Sequence, residues 1–499
     1  MTTSISPKAM PAELWYPIIE MLPSVDQKTC LSVSKMFHDI ALTYVFSHVS
    51  ISLGLWRPFE HIDDEEVFTD DEKADLIRRA DASYEVLRHI MRTPDFARKV
   101  KRVSVRAFSC AGVEMQLAIR FLADALEAIP ELRGFFWHGS SPRMPLEVFK
   151  VLANSSHTTL RELGMPQELP EGAISLLSPI HDLTSLTVLD QDADEPSLIR
   201  DVLEANANTL RALRLAGETW DQCLPMPSFA SLAELDIVCI QGHEELGELF
   251  AHCTHLRALS LVFTYAEDVL IPVLRAQPKA LPDLDSFKIW SVDYSGDDLA
   301  VLARFLQKKK RLRRMDVMVR VDARWLAADT ALLITPILEI MPKLRELQVV
   351  GLSVRVASLQ KEHIQDLEAY LPDNLTALLI WVNISSSSVP ANEWIELFNS
   401  RRSLRYLHLV PDFYDALKLK AAVLNDPPPN LELFGYGAQI RPIGRDPITG
   451  AVVVRPRWPY PKVHFRTADD YGNDDWEWLL RYHGNDEDEH FMDNADAFR

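Results

Sequence analysis

Apolar residues recur along this chain in the pattern L-x-x-L-x-L, in which other apolar residues can replace leucine. The intervals of 22 to 32 residues between successive units suit one strand and one helix per unit, stacked side by side. The pattern predicts an α/β solenoid, an arc with parallel strands on its concave face. The thirteen first positions are Val100, Leu132, Leu160, Leu183, Leu210, Leu232, Leu256, Leu284, Leu312, Leu344, Leu375, Leu404 and Leu431.

The period of a strand sends alternate side chains to opposite faces. The leucine slots are therefore expected in the core, and the fifth and seventh residues of each unit on the concave face. Trp and Arg often carry the binding energy of protein interfaces, although neighbouring loops could equally cover Trp290 and Trp381. The candidate binding residues on this face are Phe136, His138, Arg214, Asp236, Lys288, Trp290, Asp316, Trp381 and His408.

Two segments flank the predicted repeats of residues 100–437. Residues 51–99 combine an acidic loop with a helix over 73–91, whose apolar residues are spaced three and four apart. Residues 438–499 are rich in proline, and they predict a turn at 446–450, a strand at 451–454 and one docked helical turn near Trp476. We expect this last region to cap the final repeat and to end in an acidic tail.

Residues 8–50 predict a compact block of three short helices. Leu14, Ile18, Met21 and Leu22 would share one face of the first helix, and Asp26 could cap the second. A block of about forty residues buries too little surface to be stable alone. It therefore needs a separate partner, or it packs on the first repeat as an N-terminal cap.

Charge and composition limit the classes of partner that this protein is expected to bind. The net charge is −20, of which −8 lies in residues 60–72 and −9 in residues 469–499. Acidic segments repel phosphate groups, which disfavours binding to nucleic acids and to anionic membranes. A basic protein is an alternative partner for these segments. Five scattered cysteines and the absence of a long apolar run predict reduced thiols in the cytoplasm or nucleus.

The sequence contains no common catalytic motif, and we expect neither an enzyme nor a cofactor or metal site. His252-Cys253-x-His255 is the one compact group of metal-type ligands, and a loop position before a repeat strand disfavours zinc there. The basic residues 308–314 resemble a nuclear import signal or a phosphate-binding patch. Because they overlap the strand that begins at Leu312, a structural role is the favoured interpretation.

The repeats resemble those of leucine-rich repeat proteins over about two thirds of the chain. That family usually has Asn or Cys three residues after the last leucine slot, and here only Asn383 fits. The corresponding positions in other units include Glu218, Ile240, Thr264, Val292, Arg320 and Leu352. The resemblance implies a leucine-rich-repeat arc that binds a protein, and the missing Asn residues predict that this arc is irregular.

The N-terminal block resembles an F-box, as found in fungal F-box proteins with leucine-rich repeats. The matching residues are Pro11, Glu13, Leu14, Ile18, Leu22, Asp26, Leu31, Val33, Ser34, Lys35, Phe37 and Ala41. Met10 replaces the usual leucine, and Pro17 falls inside the first helix. A proline there could kink the helix or shift its start.

This resemblance implies an adaptor of a Skp–cullin–F-box type ubiquitin ligase. Its F-box would bind a Skp-type linker protein, and through it a cullin, while the repeats hold an unknown protein substrate. The linker-binding candidates are Pro11, Leu14, Ile18, Leu31, Val33, Lys35 and Phe37. The alternative is a leucine-rich-repeat scaffold or inhibitor, outside any ligase, whose block merely caps the solenoid.

Overall fold

A computed structural model describes most of the 499 residues. The described ranges are 11–22, 24–53, 70–107, 113–139, 142–166, 169–189, 196–223, 227–241, 246–263, 269–292, 294–320, 332–387, 389–411, 418–437, 439–459, 462–463 and 468–483. Met10, the loop residues 60–69 and the tail 484–499 lie outside them. The chain divides into two compact units, residues 1–186 and 187–499. None of the described helices is long and apolar enough to cross a membrane.

The first unit begins with three helices and continues as parallel strands alternating with helices. Its helices are α1 (Ala12–Glu20), α2 (Ser24–Cys30), α3 (Lys35–Val45), α4 (Asp70–Arg92), α5 (Pro94–Ala97), α6 (Val113–Glu127) and α7 (Leu146–Ser155), with a 3-10 helix at Ile174–Leu177. Its strands are β1 (His48–Leu53), β2 (Arg102–Ala107), β3 (Gly134–His138) and β4 (Glu162–Gly164). Each strand pairs with the next in parallel. Strand β5 (Ser185–Val188) spans the boundary at residue 186.

The second unit repeats the alternation of strand and helix. Its strands are β6 (Ala212–Ala216), β7 (Glu234–Ile240), β8 (Ala258–Phe263), β9 (Ser286–Val292), β10 (Arg314–Arg320), β11 (Val349–Leu359), β12 (Ala377–Ser387), β13 (Tyr406–Pro411), β14 (Leu433–Tyr436), β15 (Gln439–Arg445) and β16 (Val452–Val454). Strands β6 to β14 pair in parallel in chain order, and β14–β15 and β15–β16 pair antiparallel.

The helices of the second unit lie between its strands and after β16. They are α8 (Pro196–Ala205), α9 (Gly217–Gln222), α10 (Leu246–His252), α11 (Leu270–Ala276), α12 (Gly296–Leu306), α13 (Thr335–Leu338), α14 (Lys361–Tyr370), α15 (Ala391–Ser400), α16 (Leu419–Asn425), α17 (Ala468–Tyr471) and α18 (Asp474–Leu480). Two 3-10 helices lie at Pro227–Ser231 and Met341–Lys343. From α10 to α16 each helix packs on the next, so both units have the α/β solenoid fold that the leucine spacing predicts.

The leucine slots form the core, as the pattern predicts. Leu213, Leu259 and Leu407 are fully buried, and their neighbours at the fifth position point to the opposite face of the strands. From β7 to β14, each strand is joined to the one before it by a recurring backbone pattern. In β13, for example, the amides of Arg405 and Tyr406 both donate to the carbonyl of Thr376.

One predicted repeat is out of register by three residues. The leucine spacing predicts a unit that begins at Leu344, but Val349 pairs with Arg314, and the amides of Gln348 and Val349 donate to the carbonyl of Arg313. These contacts place Leu347 in the first slot. Both frames satisfy the apolar pattern, and the 3-10 turn at residues 341–343 occupies the extra length.

The N-terminal part of the chain differs from the sequence interpretation in two details. Strand β1 pairs with β2 and precedes the first predicted repeat, so the sheet begins before Val100. Helix α2 begins at Ser24, which places Asp26 in its first turn and makes the prediction of an Asp26 cap wrong. Helix α4 confirms that residues 73–91 are helical. Of the apolar residues spaced three and four apart along it, Leu87 is buried, whereas Ala74, Ile77 and Tyr84 are exposed.

Candidate functional site

The N-terminal block has a small core built from all three of its helices. Ile19, Cys30, Ile40 and Ala41 are buried, and partly buried apolar side chains pack around them: Trp15, Leu22, Leu31, Phe37 and Tyr44. The rings of Trp15 and Phe37 lie 4.8 Å apart between their centroids. Leu31 and Phe37, two of the predicted linker-binding residues, therefore contribute to holding the helices together.

The other predicted linker-binding residues are exposed. Leu14 and Ile18 are 52% and 40% exposed, and Val33, in the turn before α3, is 60% exposed. Pro11 and Lys35 also lie at the surface. Of the thirteen large apolar side chains that are exposed in the described residues, six lie within 14–36, the other three being Tyr16, Met21 and Met36. Such a concentration of exposed apolar surface is typical of a protein-binding site.

Local structure explains how α1 presents these side chains. Pro11 precedes the first helical residue, and Pro17 lies inside the helix. Proline lacks an amide hydrogen and so interrupts helix bonding at that point, yet the amide of Met21 still donates to the carbonyl of Pro17 at 3.2 Å. Because Leu14 and Ile18 are four residues apart, they share one face of the helix.

Phe136 and His138 are half-buried on β3 in the first unit. Their rings stack with centroids 6.3 Å apart, and the guanidinium of Arg102 lies 5.6 Å from the Phe136 ring. Gly164, which pairs with Phe136 on β4, leaves the space that this ring fills. The two residues face the same side of the strands, as the sequence pattern predicts.

In the second unit, the fifth residues of successive repeats align directly across the sheet. We call this line the fifth-position row; its members are Arg214, Asp236, Ser260, Lys288, Asp316, Gly351, Leu379, His408 and Gly435. Five of the nine candidate binding residues belong to it. The row therefore brings together side chains that are separated by up to about two hundred residues in sequence.

The C-terminal segment of residues 468–483 covers this row. Trp476, Trp478, Leu479 and Leu480 are buried in a core cluster together with Trp290, Met318 and Tyr406 from the strands. The docked helical turn predicted near Trp476 is confirmed as α18, but its place on the strand face was not predicted. Strand β15 pairs with β14, which agrees with the expected cap on the last repeat.

Lys288 lies at the centre of the contact between the row and the segment. Its ammonium donates to Asp316 Oδ2 at 2.7 Å and to the carbonyl oxygens of Leu479 and Arg481, both at 2.8 Å. The ammonium also lies 4.9 Å from the centroid of the Trp478 ring. These three acceptors satisfy all three donors of the buried ammonium.

Asp316 receives a second partner from the segment. His483 Nε2 lies 2.7 Å from Asp316 Oδ2. Burial alone would raise the pKa of the Asp316 carboxyl, but Lys288 and His483 outweigh burial and lower the pKa below its ordinary value. The carboxyl group also occupies the space over Gly351, where any Cβ atom would collide with it.

Asp236 on β7, three strands away from Asp316, forms a comparable group of contacts. It accepts from Arg481 Nη1 at 3.1 Å and from the Tyr482 hydroxyl at 2.7 Å, and Arg214 Nε lies 3.2 Å away. Burial would raise the pKa of the Asp236 carboxyl, but Arg481 and Arg214 together lower it. Glu477 pairs with Arg481 at 2.5 Å, so that guanidinium lies between two carboxylates.

Further charges and rings secure α18. Arg313 makes a bidentate contact with Asp475, both hydrogen bonds being 2.7 Å. The neighbouring Arg314 guanidinium lies 5.3 Å from the Trp478 ring centroid. The Trp476 ring lies 5.5 Å from that of Tyr406. Arg313 and Arg314 belong to the basic run 308–314, whose charge pattern alone does not predict their contacts with α18.

The remaining candidates sit beside these contacts. Trp290 packs edge-to-face on Trp381 at 5.4 Å, and its ring lies 5.4 Å from that of His483. His408 Nε2 lies 3.0 Å from the carbonyl of Gly437, and its Nδ1 lies 2.8 Å from the Tyr406 hydroxyl. Asp236, Lys288, Trp290, Asp316 and His408 are buried, whereas Arg214 and Trp381 are half-buried. For the buried five, the surface predicted for a partner is occupied by the chain itself.

The two other motifs noted in the sequence have structural surroundings. Lys309 is buried and donates to the carbonyl of Ala280, and Arg311 pairs with Asp283. Cys253 is fully buried, and burial raises the pKa of its thiol to about 12, which disfavours a thiolate metal ligand. Within the described ranges no cluster of His, Cys, Asp and Glu could hold a metal ion.

No family model matches the chain, and no curated protein matches it either. Among solved structures, it is similar to the leucine-rich repeat-containing protein LegL7 of Legionella pneumophila, at 12% identity and a TM-score of 0.31, over 73% of this chain and 91% of that one. It is also similar to TLR13 in complex with ssRNA13, at 13% identity and a TM-score of 0.28, over 69% of this chain and 55% of that one.

A third similar structure is a Bacteroides fragilis protein, at 14% identity and a TM-score of 0.24, with 66% of this chain and 71% of that one covered. The chain thus spans about half the length of TLR13 and most of the length of the other two. The leucine-rich-repeat fold follows from the strand register and leucine spacing of the chain itself.

Proposed function

We propose that this protein is a noncatalytic substrate-recognition adaptor of a Skp–cullin–F-box type ubiquitin ligase, acting in the cytoplasm or nucleus. The observation that carries the proposal is the exposed apolar surface of the N-terminal block, at Leu14, Ile18 and Val33. A folded block of about forty residues gains stability by burying such surface against a partner. The F-box resemblance names that partner as a Skp-type linker protein.

Exposure divides the seven linker-binding candidates into two groups. Pro11, Leu14, Ile18, Val33 and Lys35 form the proposed contact surface, while Leu31 and Phe37 support it from within the block. The repeats behind the block supply a protein-binding scaffold for a substrate. In this proposal a cullin joins the assembly only through the linker.

The alternative is a repeat scaffold that uses the block only as an N-terminal cap. The direct continuation of α3 into β1 favours it, because the amides of Lys101 and Arg102 both donate to the carbonyl of Ser47. A cap, however, gains nothing from large exposed apolar side chains. The two functions therefore differ in what they require of Leu14 and Val33.

The test is co-expression of the full chain with a Skp-type linker, followed by affinity purification of the chain. We expect the linker to co-purify with the wild type and to be lost with Leu14→Asp and with Val33→Asp. Leu117→Asp is the matched control, since Leu117 on α6 is 51% exposed, against 52% for Leu14. It should retain the linker.

Two outcomes would count against the adaptor. One is a wild-type chain that purifies without linker, which would leave the scaffold function. The other is equal loss of linker in Leu117→Asp, which would show that the aspartates act through solubility or folding. Circular dichroism of each variant separates loss of the contact from loss of the fold.

A further inference from the structure

The contacts of residues 468–483 have the composition of a protein–protein interface. Two tryptophans and two tyrosines are buried as anchors, and charged pairs surround them. Aromatic and arginine anchors of this kind carry most of the binding energy where separate proteins meet. The segment thus resembles a bound peptide, although it belongs to the same chain.

The segment is held by side chains and not by strand pairing. Its described residues form two short helices, α17 and α18, and no described strand pairs with them. The backbone carbonyls of Leu479 and Arg481 accept from Lys288, and the other polar contacts come from side chains. Such contacts can be made equally well by a segment of another protein.

The surface beneath the segment favours a particular type of side chain at each position of the segment. Arg313 and Arg314 favour an acidic residue ahead of the first ring, and Lys288 lies against the second ring. Asp236 then takes a basic group and a hydroxyl, supplied here by Arg481 and Tyr482. The order along residues 475–482 is acidic, aromatic, acidic, aromatic, apolar, apolar, basic, aromatic.

We infer that the fifth-position row is a recognition surface for acidic, tryptophan-bearing protein segments, and that residues 468–483 are its resident occupant. A partner segment of the same chemistry displaces them. The inference rests on the proposed function, in which the repeats hold the substrate, and it adds the chemical class of that substrate. A tethered occupant acts at an effective concentration of about millimolar. Only a partner segment that binds tightly enough to compete with this concentration displaces it.

The test uses the whole chain with a protease recognition sequence inserted between residues 463 and 468. Cleavage leaves the occupant in place but removes its tether. A fluorescent synthetic peptide of residues 468–483 is then added in excess, and size-exclusion chromatography follows the label and the released fragment. The matched control peptide carries Trp478→Ala and Arg481→Ala.

We expect the labelled peptide to replace the fragment while the repeats keep their circular dichroism spectrum. Its apparent affinity should be at least about ten-fold higher for the cleaved protein than for the intact one, because the tether no longer competes. The control peptide should not exchange.

Three results would overturn the inference: no exchange until the whole protein unfolds, aggregation of the repeats once the fragment leaves, or equal exchange of the control peptide. The first two would make the segment a permanent part of the core. Since the assay contains no linker protein, its failure is distinct from failure of the ligase function.

Discussion

Lys288 and Asp316 pair across β9 and β10 with their charged atoms 2.7 Å apart, and their side chains are only 3% and 0% exposed. Removing one member of a buried ion pair leaves the other charge uncompensated, at a cost of about 3–5 kcal/mol. We predict that Asp316→Asn lowers the free energy of unfolding by that amount. Urea denaturation of the full chain at pH 7 measures it.

The exposed pair Arg311–Asp283 provides the control for this prediction. Its atoms lie 3.1 Å apart, but the side chains are 67% and 44% exposed. Pairs of this kind contribute about 0–1 kcal/mol, so Asp283→Asn should change the unfolding midpoint little. Equal effects of the two substitutions would contradict the argument that burial makes the Lys288–Asp316 pair more costly to break than the exposed pair.

The same carboxylate gives a prediction for pH. Its pKa is lower in the folded protein than the ordinary value of 3.8. The unfolded chain therefore takes up a proton first as the pH falls, and the stability that Asp316 supplies is lost in that acidic range. The difference in melting temperature between wild type and Asp316→Asn should shrink as the pH falls below about 4.

A difference that stays constant down to pH 3, or that vanishes near neutral pH, would show that Asp316 is not held ionised by Lys288 and His483. Asp236→Asn offers an independent check, because the pKa of Asp236 is lowered in the same way by Arg481 and Arg214. Its effect should fade over the same acidic range.

Glycines in the row make room for side chains of the preceding strand. At Gly435 a Cβ atom would collide with the imidazole of His408, whereas at Gly247 in α10 it would meet nothing within 4 Å. Overpacking a buried site costs about 1–3 kcal/mol. We predict that Gly435→Ala destabilises the chain by that amount in urea denaturation.

Gly247→Ala serves as the matched substitution. Alanine restricts the unfolded backbone and favours helix, so it should be neutral or stabilising by up to about 1 kcal/mol. If both alanines were equally tolerated, the close approach of His408 to the backbone of β14 would be wrong.

The repeats could be predicted from sequence because leucine spacing is a local property of each unit. The frame of one repeat could not, since Leu344-x-x-Leu347-x-Val349 and Leu347-x-x-Val350-x-Leu352 both satisfy the pattern. Only the pairing of Arg314 with Val349 distinguishes them. That pairing is a relationship between two neighbouring strands, so the apolar pattern within one repeat cannot predict it.

The candidate surface was partly predictable for the same reason. Alternation placed Lys288 and Asp316 on the strand face, and the apolar run near Trp476 indicated a docked helix. The docking of this helix on the strand face was not predictable, because it involves contacts between residues almost two hundred positions apart, such as Lys288 with Leu479. The sequence also identifies the apolar residues of the N-terminal block. It does not tell that Ile18 is exposed and Ile19 buried, because this difference depends on how the three helices pack.

Lys309 gives a last prediction, at alkaline pH. Burial lowers the pKa of its ammonium to about 8 from 10.5, and the group lies 3.9 Å from the Phe305 ring centroid. Between these two values the unfolded chain binds a proton that the folded chain has released. Stability therefore rises with pH in that range relative to a chain without this lysine.

We predict that the melting temperature of the wild type, measured relative to that of Lys309→Met, increases from pH 8 to pH 10. Lys310→Met is the control, because it removes one positive charge from the same run at an exposed position. Subtracting its effect leaves the contribution of the buried group. A relative melting temperature that does not change over this range would place the Lys309 ammonium in water, outside the apolar site beside Phe305.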